Sequence, residues 1–375
     1  RNPRPGRDWP IDGGNHDMMR IEPRPEMTKA MLIAVPMLSA IASLVIAAVP
    51  IAFAGAGILQ AYREMFNGVF GSVFAVSEML TRATPLMFTG LAAALAFRAR
   101  LWNIGAEGQL YLGALMAVTV GTGYLDLPPL MLTPVIILMA ALAGAVGMAV
   151  PTFLKIRFGA DEVVTTLLLN FVILIFVQMM LEGALKDPMG LGWPQSSPIV
   201  EEAMLPTLLP RMRVHSGLIL ALVCAGVAQF MLSRTIWGFR LRAVGENPVA
   251  AGYAGIPVNW SLFTIAIVSG GLAGLAGMSE VVGLKGYLTS DLSPGFGYIG
   301  IVVAMLAGLS PVGVVLAALF IASVFVGADS MSRAMGVSSY LADLIVALSL
   351  LSVLIGGFFT RYRVIWSTSN RRPSP

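Results

Sequence analysis

The sequence predicts an all-α, polytopic membrane protein of about ten transmembrane helices. Three observations carry that expectation. Hydrophobic residues fill 57% of the 375 positions and charged residues only 12%, against about 25% charged in an ordinary soluble domain. Apolar runs of about 20 residues recur along the chain, each long enough as a helix to cross a hydrocarbon core of about 30 Å. The 24 Lys and Arg residues gather mostly beside those runs, where membrane orientation places them.

The elements follow in order. Residues 1–27, rich in Arg, Pro and Gly, read as a disordered cytosolic tail, too long and too acidic in places for the basic start of a signal peptide. One transmembrane domain then covers residues 28–359. Its first span is about 28–57. Residues 58–79 are amphipathic, interrupted by Arg63, Glu64 and Glu78, and read as one helix lying at the membrane surface. Spans two to five cover about 84–97, 109–125, 130–155 and 163–181. A polar stretch, 183–214, contains "DPMGLGWPQSSP", rich in turn residues. The sixth span is about 217–232. The seventh, 262–282, contains "SGGLAGLAG", small residues that let helix backbones approach closely. The eighth covers 298–309, Pro311 opens the ninth, and the tenth covers 340–359 before a basic tail, 360–375.

With the N-terminus in the cytosol and ten spans, seventeen Lys and Arg fall on the cytosolic side and seven outside. That ratio favours this orientation. It places both termini and the polar stretch 237–258 in the cytosol.

Several chemistries are excluded. The net charge of +4 is explained by topology, so no nucleic-acid partner is implied. The single cysteine, Cys224, allows no disulfide within the chain, and two distant histidines, His16 and His215, make a metal site unexpected. "GFGYIG" at 295–300 matches a dinucleotide-binding glycine pattern, but no strand precedes it. The chain contains no Gly-Lys dipeptide and hence no phosphate loop. ATP, if used, is bound by another subunit.

The polar segments carry what chemistry there is. In "GENPVAAGYAGI", Asn247 and Pro248 can cap and start a short helix, and Gly255 can end it. Such a helix is either a rigid handle for a soluble partner or a solvated connector. In "NIGAEGQ", residues 103–109, Gly105 and Gly108 break the helix beside Glu107. A helix N-terminus there could aim free N–H donors at a polar substrate; an ordinary tight turn is the alternative. Asn170 and Gln178 roughly share a helix face and could line a pathway or bond between helices. Glu280 and Asp343 are acids at or near membrane depth, such as an ion-coupled carrier needs.

Four longer motifs carry a resemblance: "TPLMFTGLAAALAFRARLWNIGAEGQLYLGAL", "FGADEVVTTLLLNF", "TIWGFRLRAVGENPVAAGYAGI" and "GFGYIGIVVAMLAGLSPVGVVLAALF". Over residues 84–359 the sequence resembles permease subunits of bacterial ABC importers for branched-chain amino acids, simple sugars and nucleosides. "LKDPMGLGWPQSSPI" is similar to the nucleoside branch. The resemblance implies a fold similar to vitamin B12-type (type II) importers, in the bacterial plasma (inner) membrane. It implies a partner ATPase that binds ATP and Mg, a second, different permease subunit, an external substrate-binding lipoprotein and a nucleoside cargo. It further implies that the short cytosolic helix meets the ATPase, through Gly245, Glu246, Asn247, Pro248 and Ala251. Asn103, Glu107, Gln109 and Asn170 are the candidates for the substrate pathway. The chain itself would carry no cofactor and no catalytic residue. A sugar or branched-chain amino acid permease is the nearest alternative, and a carrier driven by an ion gradient through Glu280, Asp343 or Glu107 a further one.

Overall fold

The computed structural model describes residues 18–23, 29–123 and 128–367. Thirteen α-helices are found among them: α1 (Lys29–Phe53), α2 (Ile58–Phe70), α3 (Val73–Arg98), α4 (Ala106–Gly121), α5 (Pro129–Phe158), α6 (Glu162–Glu182), α7 (Gly217–Arg234), α8 (Ile236–Glu246), α9 (Pro248–Tyr253), α10 (Val258–Glu280), α11 (Phe296–Leu306), α12 (Pro311–Met335) and α13 (Ser339–Arg361). Two strands, β1 (Met18–Pro23) and β2 (Tyr362–Ser367), pair antiparallel, with Met18 opposite Ser367. Residues 18–23 of the tail expected to be disordered are therefore hydrogen-bonded to the other end of the chain. The rest of both tails lies outside the described residues.

Among the described residues, seven helices are long and apolar enough to cross a membrane, or eight if the bent pair Ile41–Phe53 and Ile58–Phe70, which meet at 119°, is one broken span. The protein is a multi-pass membrane protein. The expected count of about ten is not confirmed: two of the expected spans are short. The third is the 16-residue α4 and the eighth the 11-residue α11; at about 1.5 Å per residue, α11 covers roughly half a hydrocarbon core. The single surface helix expected over 58–79 is also replaced. It breaks at Ser72, whose hydroxyl accepts the Ala75 N–H at 3.0 Å and so caps a longer α3. That helix runs through Pro85 and is the most enclosed of the seven, with 89% of its apolar window buried. Its hydroxyls are satisfied locally: Thr81 and Thr89 donate to the carbonyls of Ser77 and Pro85.

α10 is packed against α5, α4 and α3, and the small residues read from the sequence explain how. A Cβ on Gly270 would lie 2.3 Å from the Gly144 carbonyl oxygen, one on Gly274 2.2 Å from that of Ala140, and one on Gly277 1.9 Å from that of Leu110. In lipid the hydrophobic effect does not hold helices together, so close backbone contact and dispersion must do so.

The bundle has two distinct ends. One carries the α3 C-terminus, the α5–α6 turn, α8 and α9. The other is covered by the segment 183–216. That segment is pinned down: Val200 N–H bonds Gly121 O, Leu205 N–H bonds Val282 O and Ser196 N–H bonds Leu288 O.

Candidate functional site

α8 and α9 form the polar element after α7. The Thr235 hydroxyl caps α8 by accepting the Gly238 N–H at 3.2 Å. α9 begins at Pro248, and the Asn247 carboxamide oxygen accepts the N–H groups of Val249 and Ala250 at 3.0 and 3.1 Å. Asn suits the position because its side chain replaces the missing helical acceptors, and Pro because its absent N–H needs none. The helix ends at Gly255, whose φ of +79° an L side chain rarely adopts. Val249 and Tyr253 are exposed on α9, and Phe239 on α8.

This element is seated firmly. The Trp237 indole N–H donates to the Thr264 hydroxyl of α10 at 3.4 Å, and Arg242 donates to the Leu232 carbonyl of α7. A Cβ on Gly245 would lie 1.9 Å from the Arg98 carbonyl oxygen at the end of α3. Only glycine fits there. The Arg98 Nε–H in turn donates to the Leu309 carbonyl at 2.9 Å, so α8 rests on the turns that lead into α4 and α12.

Beyond that contact lies a buried polar centre. Asn103, in the loop before α4, donates through Nδ2 to Gln109 Oε1 at 2.8 Å and to the Ser269 hydroxyl at 2.9 Å. Its Oδ1 accepts Gln109 Nε2–H at 2.9 Å. Ser269 donates to Ala92 O at 2.7 Å, tying α10 to α3. On the other side, Asn170 of α6 accepts the Gly108 N–H at 2.8 Å and donates to Ile104 O at 2.9 Å and the Tyr298 hydroxyl at 3.2 Å. Two helices start here. Glu107 lies in the first turn of α4 and accepts the Gly297 N–H of α11 at 2.6 Å; the Ser293 hydroxyl accepts that of Phe296 at 2.8 Å. The partial positive ends of α4 and α11 thus meet at one carboxyl group.

Comparison with known proteins now bears on this geometry. Residues 75–357 match the family described as the permease component of branched-chain amino acid transport systems. The chain belongs to this family. The permease is 36% identical over 321 residues to the guanosine ABC transporter permease protein NupP of Bacillus subtilis, covering 85% of this chain and 92% of that one. It is 34% identical over 356 residues to the glucose ABC transporter permease protein TsgB13 of Haloferax volcanii, covering 92% and 93%. To the nucleoside ABC transporter permease protein NupB of Lactococcus lactis it is 29% identical over 313 residues, covering 81% and 86%.

The permease brings some of its candidate residues together and separates others. Asn103, Glu107, Gln109 and Asn170 are all buried and share the one polar centre, bonded to each other or to backbone. Gln178 does not share Asn170's face: eight residues on, it is exposed and donates to Glu182 at 3.3 Å. Glu246, Asn247 and Pro248 are exposed, whereas Gly245 and Ala251 are buried beneath them. Asp343 is exposed on α13, and Glu280 is buried at the far end of α10. Ser269, Tyr298 and Ser293 were not among the candidates. Serines and tyrosines in apolar runs are common, and only the fold shows which of them meet Asn103, Asn170 and the start of α11.

Proposed function

We propose that this chain is one permease subunit of an ATP-driven importer of nucleosides in the bacterial inner membrane. It pairs with a second, different permease subunit, takes substrate from an external binding lipoprotein, and has both termini in the cytosol. ATP is bound and hydrolysed by a partner ATPase; the permease itself breaks no covalent bond and carries no cofactor. Two relatives that transport a nucleoside by name, over more than four-fifths of this chain, support the cargo.

The observation that carries the mechanism is the seat of α8 on the Arg98 carbonyl through Gly245. Glu246, Asn247 and Pro248 offer the ATPase contact, and Gly245 and Ala251 form the rigid underside. A push on α9 passes through Gly245 to Arg98, hence to the 99–105 loop holding Asn103 and, through Leu309, to the turn before α12. Both reach the polar centre, which becomes the passage when α4 and α11 separate there, exposing Asn103, Glu107, Gln109 and Asn170 to substrate.

The test is uptake of labelled guanosine, glucose and leucine by cells expressing the whole system, with and without the ATPase gene. Guanosine uptake that requires the ATPase is expected. Uptake that survives ATPase loss and collapses with a protonophore would replace this reading with an ion-coupled carrier. Glucose is the second reading, favoured by the relative that matches 92% of the chain; uptake of glucose alone would establish it.

A further inference from the structure

At the end of the bundle opposite α8 and α9, a cavity of about 610 Å³ opens between α2, the first turns of α3, the last turns of α12 and the end of α10. That volume is within the range of about 300–1,000 Å³ typical of small-molecule sites. Its charged lining is Glu78, Arg82, Arg213, Glu280, Asp329 and Arg333. Two pairs form across it, Arg82 with Asp329 and Arg213 with Glu78, each at 3.4 Å.

The pairing leaves several groups unsatisfied. Glu280 is 4% exposed and lines the cavity. Glu78 Oε1, Arg82 Nε and Ser77 Oγ are buried without a hydrogen-bond partner among the described residues. Such groups are costly to leave unmet, more so if charged. The backbone is also irregular at this point. Directly after Glu280, α10 passes into a single π-turn, Val281–Lys285, a distortion that recurs at functional sites. The His215 ring wedges that turn in place, 2.3 Å from where a Cβ on Gly283 would be.

The lining dictates the class of ligand. Three basic and three acidic side chains line it, so the lining selects for neither sign of ligand charge. The open valences include carboxylate acceptors and a guanidinium donor, so the ligand must bring both hydroxyl donors and acceptors. We propose that this cavity is a binding site for an uncharged polyhydroxylated solute, with Glu280 accepting its hydroxyl hydrogens and Arg82 donating to it. The inference rests on the importer reading only for the choice of probe, guanosine, whose ribose presents a vicinal diol.

The test uses the complete importer in mild detergent, carrying Val326→Cys, a cavity-lining position, in a Cys224→Ser background. Alkylation of the new thiol is expected to slow about tenfold in saturating guanosine. 2′,3′-Dideoxyguanosine should need about tenfold higher concentration to protect, and Glu280→Gln should erase that difference. Should Glu280→Gln fail to assemble, Val326→Trp, which fills the cavity, should abolish guanosine uptake by an importer that still co-purifies with its ATPase. If guanosine is imported yet neither protects the thiol nor is stopped by the filled cavity, the binding site is refuted and the importer reading survives. Protection by glucose with none by guanosine would leave the site standing and overturn the nucleoside assignment.

Discussion

Substituting Gly277 by Ala tests the packing that holds α10 in the bundle. The added Cβ would lie 1.9 Å from the Leu110 carbonyl oxygen, 2.8 Å from its carbon and 2.9 Å from the Ala114 amide nitrogen. Ordinary contact begins at 3.4 Å, so the shortfall is 1.5 Å against backbone atoms of α4, which no rotamer change can relieve. The helices must move apart, and Gly274 and Gly113, which share the contact, move with them. Overpacking costs about 1–3 kcal/mol, occasionally more, and the gain of up to about 1 kcal/mol from replacing glycine in a helix offsets only part of it. A net loss of about 1–2 kcal/mol follows. Gly226, in α7, is the control, because its added Cβ meets nothing within 4 Å. Thermal unfolding of the detergent-purified protein, followed by size-exclusion chromatography, should place Gly277→Ala several degrees below the parent and Gly226→Ala at or above it. Equal midpoints for the two variants would refute this packing.

Four further outcomes are expected. Asn103→Ala should lower stability by about 1–3 kcal/mol, because Gln109 and Ser269 each lose a buried partner, and the same thermal assay reads it. Asn247→Ala removes both bonds to the first turn of α9, at a cost of about 1 kcal/mol; guanosine uptake should fall while basal ATPase activity persists. Gly245→Ala, forced against Arg98, should reduce transport per ATP hydrolysed more than it reduces ATPase binding. Burial lowers the His215 pKa from 6.5 to about 4. The unfolded chain therefore takes up a proton that the native one refuses as pH falls below about 6.5, and stability declines down to pH about 4 by roughly 3 kcal/mol. Unfolding midpoints between pH 7.5 and 4.5 should show this slope, and His215→Gln should flatten it.

Much of the bundle was legible because its signals are local. Asn247-Pro248 and Gly255 mark the bounds of α9 through capping chemistry that needs no tertiary context. The run "SGGLAGLAG" announced a close helix contact, although not that α5 and α4 are the partners. The break at Ser72 was also local, since a serine before an apolar run is a helix cap, but Arg63, Glu64 and Glu78 suggested one continuous polar face. Two things were out of reach. The helical period of α11 says nothing about its starting where Glu107, 190 residues away, receives its N-terminus. The charged cavity joins Arg82 to Asp329, 247 residues apart, and no pattern along the chain reports such a pair.

The coupling of this permease to a separate motor is tested most directly at Ala250. In a Cys224→Ser background, Ala250→Cys should react with a membrane-impermeant maleimide in inside-out vesicles and not in right-side-out ones, and bound ATPase should shield it. Labelling in right-side-out vesicles would put α9 on the wrong side of the membrane to meet an ATPase and would contradict the proposed mechanism.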